Sequence, residues 1–304
     1  MNNVIATENI TKYYGELAAV NKVSLRVSEG EIYGFLGLNG AGKTTMIRML
    51  LGMIRPTDGK AYINRTLVDA GNYGLWRNVG YMVEMPNAYP ELTVLENLEI
   101  ARKLRNIKDR TVTKKICEKL ALNEYMNKKS KELSLGNKQR LGIAKALIHM
   151  PKILILDEPA NGLDPAGIVE IRMLLKELAA NMGVTILISS HQLGEISRTA
   201  NRIGIIHRGK LISEFNADKF DELRDKKLQI DTTDNNKAKF ILENNGYLID
   251  VKDNVLACSD KKAFIYPEKV AEILVNNGCS PKSLFTEYED LESYFLRIIG
   301  EREV

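Results

Sequence analysis

The sequence predicts an α/β protein whose larger part is a wound, mainly parallel sheet, and three observations carry this. The runs EIYGFLG (31–37) and KILILD (152–157) have the unbroken hydrophobicity of strands buried on both faces. The first enters a glycine-rich loop and then a stretch with helical spacing, TTMIRMLLGMI (44–54). Strand-like and helix-like stretches then alternate as far as residue 215, the pattern of a parallel sheet with crossover helices.

In chain order, VIATENI (4–10) and AAVNKVSLRV (18–27) alternate as strands, the second ending at the Ser28-Glu29-Gly30 turn. The helix after the glycine loop is stopped by Pro56 and the Asp58-Gly59 turn. Residues 60–85 are strand-like, and residues 90–149 space Leu, Ile and Ala as helices do, with a polar interruption from Asn127 to Ser130. After KILILD come a helix over 166–181, the strand VTILIS (184–189) and a hairpin in IGIIHRGKLISEF (203–215). The polar stretch 216–226 marks a boundary, so domains are expected at 1–218 and 219–304. The second domain reads as strand 227–232, helix 235–245, strands 247–251 and 254–258, helix 267–277, strand 283–287 and helix 290–299. That βαββαβ order predicts a small α+β, ferredoxin-like domain without a catalytic constellation.

The 304 residues are 27% charged and 44% hydrophobic, enough for a large core and incompatible with a disordered or disulfide-dependent mini-protein. No stretch reaches the ~18 consecutive apolar residues of a membrane helix, and the first residues lack the apolar core of a signal peptide. Three widely spaced cysteines with no CxxC pair fit a reduced compartment and no zinc site. The net charge of +4 is uneven: residues 1–218 carry +8 and residues 219–304 carry −4. Arg102 to Lys131 holds 11 basic and 3 acidic residues. A solvated helical face explains this run most simply, and a surface for anionic lipid or nucleic acid is the sharper reading. Tyr125 is the one aromatic residue in it, which weakens nucleic acid.

Gly37-Leu38-Asn39-Gly40-Ala41-Gly42-Lys43-Thr44 fits G-x-x-x-x-G-K-[ST], between a predicted strand and a predicted helix. Its glycines let successive N–H groups converge on phosphate oxygens, and the helix starting near Thr44 adds its dipole. Lys43 can reach the β- and γ-phosphates, and the Thr44 hydroxyl can ligate Mg²⁺. ILILDEP ends a strand with Asp157 and Glu158, at the carboxyl end where ligands bind in wound folds. Asp157 is placed to hold Mg²⁺, and Glu158 to take a proton from an attacking water. Chance glycine and Asp-Glu-Pro turns would explain each motif alone; together they favour a nucleotide triphosphate site.

With these motifs the chain resembles the ATP-binding subunits of ABC transporters over about residues 1–215. Leu133-Ser134-Leu135-Gly136-Asn137-Lys138-Gln139-Arg140 resembles the ABC signature, with Leu135 for a glycine and Asn137 for the glutamine of the usual LSGGQ. Asn161-Gly162-Leu163-Asp164-Pro165 matches the D-loop, His191 the switch histidine and Tyr14 the aromatic that stacks on adenine. The resemblance implies a P-loop ABC ATPase domain with an antiparallel β subdomain and a helical subdomain. It also implies ATP and Mg²⁺ as cofactors. It assigns catalysis to Glu158 and His191. Nucleotide contact falls to Tyr14, the loop residues Gly37, Asn39, Gly40, Ala41, Gly42, Lys43, Thr44 and Thr45, and to Glu84, Ser134, Gly136 and Asp164. Metal contact falls to Thr44, Glu84 and Asp157.

Glu84, followed by Met85 and Pro86, stands where the family normally has glutamine. With SLG-x-KQRLGIAKAL and EP-x-NGLDPAGI-x-EIR, it looks like the bacitracin/lantibiotic subgroup, whose members export peptide antibiotics or protect cells from them. The resemblance further implies two subunits, expected to be identical, that sandwich two ATP molecules head to tail. Transmembrane permease subunits are then separate chains, nucleic acid is no partner, and the location is cytoplasmic, peripheral on the inner face of the membrane. The segment after Glu84 and the basic helices at 102–131 are expected on the membrane-facing side. A soluble ABC ATPase acting on ribosomes or DNA is the alternative. One copy of each motif, without an inserted coiled coil, argues against it. A non-hydrolysing regulator is opposed by the intact Asp157, Glu158 and His191.

Overall fold

A computed structural model describes residues 2–69, 71–84, 86–252 and 254–303. The chain divides into two compact units, Met1–Asp218 and Lys219–Val304. The first opens with β1 (Asn3–Tyr14), β2 (Leu17–Val23) and β3 (Arg26–Ser28), where the alternation predicts one strand over 18–27. Thr7 makes the division: its hydroxyl donates to Val23 O (3.1 Å) and accepts the Leu25 N–H (3.0 Å), occupying groups a continuous ladder would need. Ile32–Leu36 forms β4, and the glycine loop leads to α1 (Lys43–Leu50). The helix ends four residues before the predicted Ile54 because Gly52, at φ 64°, reverses the chain. Gly52 N–H then returns to Met49 O and Met53 N–H to Arg48 O, a Schellman closure. β5 (Asp58–Ile63) and β6 (Thr66–Leu67) turn through Asn64 and Arg65, both at positive φ, as a two-residue hairpin that follows the strand twist requires.

β7 (Val79–Met82) is followed by three helices, α2 (Val94–Leu104), α3 (Thr111–Lys119) and α4 (Leu135–Leu147). α2 starts at a reciprocal Thr93/Glu96 capping box. Asn106 and Ala121, at positive φ, turn the chain after α2 and α3. Then come β8 (Ile153–Asp157), α5 (Pro165–Met182), β9 (Thr185–Ser190), a short α6 (Leu193–Ser197) that the pattern does not predict, β10 (Arg202–His207) and β11 (Lys210–Asn216). Met85, the end of the strand-like stretch 60–85, lies outside the described residues.

The antiparallel sheet has the order β2-β1-β5-β6, with β3 also on β1. The larger sheet has the order β11-β10-β4-β9-β8-β7, parallel throughout except for the edge strand β11. Ile153 and Ile155 share one core with Met46, Ile47 and Leu50 of α1 and with Ile5, Ile10 and Val23 of the antiparallel sheet. Leu154 and Leu156, on the opposite face of the same strand, are also fully buried. Carboxylates outside the basic run answer part of its charge. Glu99 pairs with Arg102, Glu177 with Lys119, and Glu91 with Lys129 and Lys131.

The second unit contains α7 (Phe220–Leu223), inside the stretch read as a boundary, then β12 (Lys226–Thr232), α8 (Asn235–Asn244), β13 (Ile249–Lys252) and β14 (Val255–Cys258). α9 (Lys261–Ile265), α10 (Pro267–Asn276), β15 (Pro281–Tyr288) and α11 (Leu291–Glu303) complete it. Its sheet is antiparallel in the order β13-β14-β12-β15, the split βαββαβ arrangement of a ferredoxin-like domain. Leu228, Ile230 and Leu256 of the sheet pack with Leu242, Val270 and Leu274 of the helices. Cys117, Cys258 and Cys279 are free and buried, and burial pushes the Cys117 and Cys258 thiols up to about 11.

Ile155 is fully buried between neighbouring parallel strands. Ile155→Ala should lower the stability of the first unit by about 2–5 kcal/mol in urea denaturation, through lost transfer energy and the cavity left behind.

Candidate functional site

Three parallel strands deliver their carboxyl ends to one place: Leu36 of β4 lies beside Ser190 of β9, and Asp157 of β8 beside Ser189. From Leu36 the chain enters the loop, where Gly40 and Gly42 take φ of 80° and 107°. A Cβ on Gly42 would stand 2.3 Å from Ala19 O of β2, so conformation and crowding both require glycine. Gly37 N–H donates to Ser190 O, and Ala41 O accepts from Gly209 N–H. Asn39 and Gly40 are exposed at the loop tip, and Thr45 is half-buried in the first turn of α1. Gly42 caps α1 without a side chain, and no acidic residue sits in the first turn. The helix therefore presents N–H groups suited to an anion.

Lys43, 6% exposed, folds back into the loop. Its Nζ donates to Gly37 O (2.7 Å) and Leu38 O (3.2 Å) and lies 3.3 Å from Glu158 Oε1. Thr44 Oγ1 donates to Asp157 Oδ2 at 2.8 Å, and the Ser189 hydroxyl donates to Asp157 Oδ1. Glu158 has φ 51°, a turn that swings its side chain toward His191. Glu158 Oε2 is 2.8 Å from His191 Nδ1 and also accepts the His191 N–H. A carboxylate only accepts, so Nδ1 carries the proton in this contact. Glu158 thus lies between an ammonium and an imidazole, one residue beyond the carboxylate that holds Thr44.

Asp157, Glu158, His191, Lys43 and Thr44 are therefore brought together. Other residues of the expected set stand apart. Among the described residues, no hydrogen bond or ion pair joins Ser134, Gly136 or Asp164 to the loop. Ser134 is exposed and caps α4 through Asn137 N–H, Gly136 faces Leu163, and Asp164 caps α5 through Gly167 N–H. Tyr14 is half-exposed at the tip of the β1–β2 hairpin, whose return strand carries Ala19 to the loop. Glu84, at φ 58°, is paired not with Thr44 or Asp157 but with Arg48 of α1, at 2.6 Å.

That ion pair lines a groove of about 700 Å³, together with Tyr89, Leu104, Arg105 and Lys145. Arg105 donates to Trp76 O and Val79 O, and Lys145 to Asn87 O. Among the described residues neither has a carboxylate partner, and burial lowers the pKa of both. His149 Nε2 also meets Val79 O, at 3.1 Å.

Residues 20–161 match the protein family described as ABC transporter. The bacitracin transport ATP-binding protein BcrA of Enterococcus faecalis is 42% identical over 99% of this chain and 97% of its own length. The lantibiotic transport ATP-binding protein SrtF of Streptococcus pyogenes is 36% identical over 69% of this chain and 90% of its own. This chain belongs to the ABC transporter ATP-binding proteins. A dimeric bacterial ABC transporter cassette of known structure superposes with a TM-score of 0.66 at 29% identity, over 70% of this chain and 98% of that one. The present ABC subunit is thus homologous to bacitracin and lantibiotic transport ATPases. Its likeness to the bacitracin protein runs through both units. No helix among the described residues is long and apolar enough to cross a membrane.

Two residues of this ABC site escape the sequence motifs, and a third lies in one without a role. Ser189, which bonds Asp157, ends a strand whose apolar run was legible, but its facing partner is set only by sheet order. Arg48 lies one helical turn beyond Thr44, on a helix otherwise read for its apolar face. Gln139 lies in the stretch that resembles the signature, and its bond to Glu158 O at 3.0 Å is visible only in the fold.

Burial, with the Arg105 charge beside it, holds His149 down to about 4. The unfolded chain binds a proton near ~6.5 that the folded chain refuses until about 4, so stability is complete above that range and is lost as pH falls through it. The urea midpoint should drop more steeply between about pH 7 and 5 in the natural protein than in His149→Gln, which lacks this titration.

Proposed function

We propose that this subunit hydrolyses ATP in a head-to-tail pair of identical subunits. The pair drives separate membrane-spanning chains that export a peptide antibiotic or protect the cell from one. The observation that carries the reading is the Glu158 carboxylate, held at 3.3 Å from Lys43 and 2.8 Å from His191 beside the Thr44–Asp157 pair. The antibiotic class rests on the full-length likeness to the bacitracin protein. On this reading the protein works at the inner face of the cell membrane. Fractionation with membranes, and not with ribosomes or nucleic acid, separates it from a soluble ABC ATPase.

The donor set fits Mg²⁺. Thr44 and Asp157 offer hard oxygens, and no group of three or more His, Cys, Asp or Glu side chains forms a metal cluster among the described residues. Thr44 and Asp157 would hold Mg²⁺, which would supply neutralisation of phosphate charge there. Glu84, committed to Arg48, is assigned to coupling instead of metal contact.

The loop N–H groups and the first turn of α1 hold the phosphates, and Tyr14 offers an open ring for the base. Lys43 exchanges the loop carbonyls and Glu158 for phosphate oxygens, which frees Glu158 Oε1. Glu158 takes the proton of the attacking water, and His191 Nδ1–H fixes the orientation of the other carboxylate oxygen. Ser134, Gly136 and Asp164, which stand apart from their own loop, contact the nucleotide of the opposite subunit. The groove beside Glu84 receives the membrane partner, so closure of the pair is transmitted where Arg48 and Glu84 meet.

Glu158→Gln keeps the shape and removes the proton acceptor, so turnover should fall by about 10²–10⁴-fold while ATP still binds and closed dimers accumulate. Normal turnover in that variant would refute the assignment.

Glu84→Gln breaks an exposed ion pair, worth at most about 1 kcal/mol. ATP binding should persist, and basal hydrolysis should change by less than about tenfold, or ~1.4 kcal/mol. Antibiotic resistance or transport in cells should suffer more than hydrolysis does. A hydrolytic defect as complete as that of Glu158→Gln would place Glu84 in the chemistry.

A further inference from the structure

Gln139 is 3% exposed, in the second turn of α4, the helix that Ser134 caps. Its Nε2 donates to Glu158 O at 3.0 Å, while its Oε1 is buried with no partner among the described residues. An amide that leaves one polar atom unsatisfied is a poor core residue, and leucine or methionine would fill the position without that penalty. The position is therefore explained by the donor. The carbonyl it holds belongs to a non-glycine residue at φ 51°, a conformation kept only where the surroundings over-determine it.

The Glu158 backbone is fixed from three sides. Its N–H donates to Ser189 of β9, its carbonyl accepts Asn161 N–H from the following turn, and the same carbonyl accepts Gln139 from α4. Only the last tie comes from the helix that bears Ser134 and Gly136. The start of that helix is also packed against the turn after Glu158. A Cβ on Gly162 would lie 2.3 Å from Leu135, and one on Gly136 would lie 3.3 Å from Leu163.

We infer that Gln139 is a positioning residue that links the signature helix to the base of its own subunit. The inference rests on the reading above, in which Glu158 is the base and Ser134 and Gly136 touch the opposite subunit's ATP. Engagement of α4 by that ATP pulls on the Glu158 carbonyl and aims the carboxylate, freed from Lys43 and held by His191, at the attacking water. Occupancy of one nucleotide site thereby prepares hydrolysis at the other, and the two ATP sites are coupled through one side-chain amide.

The test uses the full chain with Gln139→Met, which keeps the volume and removes the donor, and Gln139→Asn, which keeps the amide and withdraws its reach. Steady-state hydrolysis is followed against ATP concentration, with ATP binding measured separately. The natural protein should show a Hill coefficient above 1. In both variants ATP affinity should hold, kcat should fall about ten- to a hundredfold through misplacement of the base, and the Hill coefficient should drop to 1. If the Met variant does not bind ATP for want of folding, the Asn variant alone decides. Natural kcat and cooperativity in a folded variant overturn the inference, as does a defect confined to KM or a natural protein without cooperativity. Glu158→Gln run in parallel separates the two levels. If that variant hydrolyses normally, the base itself is misassigned; if it is inactive while the Gln139 variants are unimpaired, only the positioning role falls.

Discussion

Asp157 is a carboxylate with 1% of its surface exposed, and the site is organised around satisfying it. A buried carboxylate without hydrogen bonds would be too costly to keep. Its two oxygens are met by hydroxyls from two different elements, Thr44 on α1 and Ser189 on β9. Those contacts require that β8 and β9 be neighbours in register and that the glycine loop return α1 over their carboxyl ends. The sheet order β4-β9-β8 and the loop conformation are thus two expressions of one constraint. Lys43 and Glu158 adjoin Thr44 and Asp157 in the chain, so the same placement forms their ion pair.

What the sequence made legible follows from this. The buried strands carry continuous apolar runs, the loop a fixed glycine spacing, and the carboxylates sit where such a strand must end. The strands at 31–37, 152–157 and 184–189, the hairpin over 203–215, the helix over 166–181 and the βαββαβ order of the second unit could be read from apolar runs and periodicity. The division of β2 from β3 could not, because it depends on the hydroxyl of Thr7 on another strand. Helices α6 and α9, of five residues each, are too short to display a period of 3.6.

The site was legible in its chemistry and incomplete in its partners. The motifs name Asp157, Glu158 and Lys43, and the family resemblance adds His191, yet neither can show that His191 grips Glu158 or that Glu84 turns to Arg48. Ser134, Gly136 and Asp164 illustrate the same limit from the other side. The family resemblance assigns them to nucleotide contact, Ser134 and Gly136 across a pair of subunits, and within one chain the fold uses Ser134 and Asp164 as exposed helix caps and leaves Gly136 against Leu163.

The two left-handed glutamates show how the parts are tied. Glu84 follows β7 and Glu158 follows β8, adjacent parallel strands, and both adopt a positive φ that a non-glycine residue holds only under constraint. Each carboxylate is gripped by a cation on α1, Glu158 by Lys43 and Glu84 by Arg48. Those cations are five residues apart, about 7.5 Å along the axis at 1.5 Å per residue. α1 is packed through Met46, Ile47 and Leu50 into the main core, so it resists bending. Its first residue faces the phosphate loop, and Arg48 faces the groove. The Lys43–Glu158 and Arg48–Glu84 pairs are therefore held at a fixed spacing by one stiff element. Of the two carboxylates, Glu84 is the more exposed and stands at the groove, while Glu158 is enclosed at the phosphate loop.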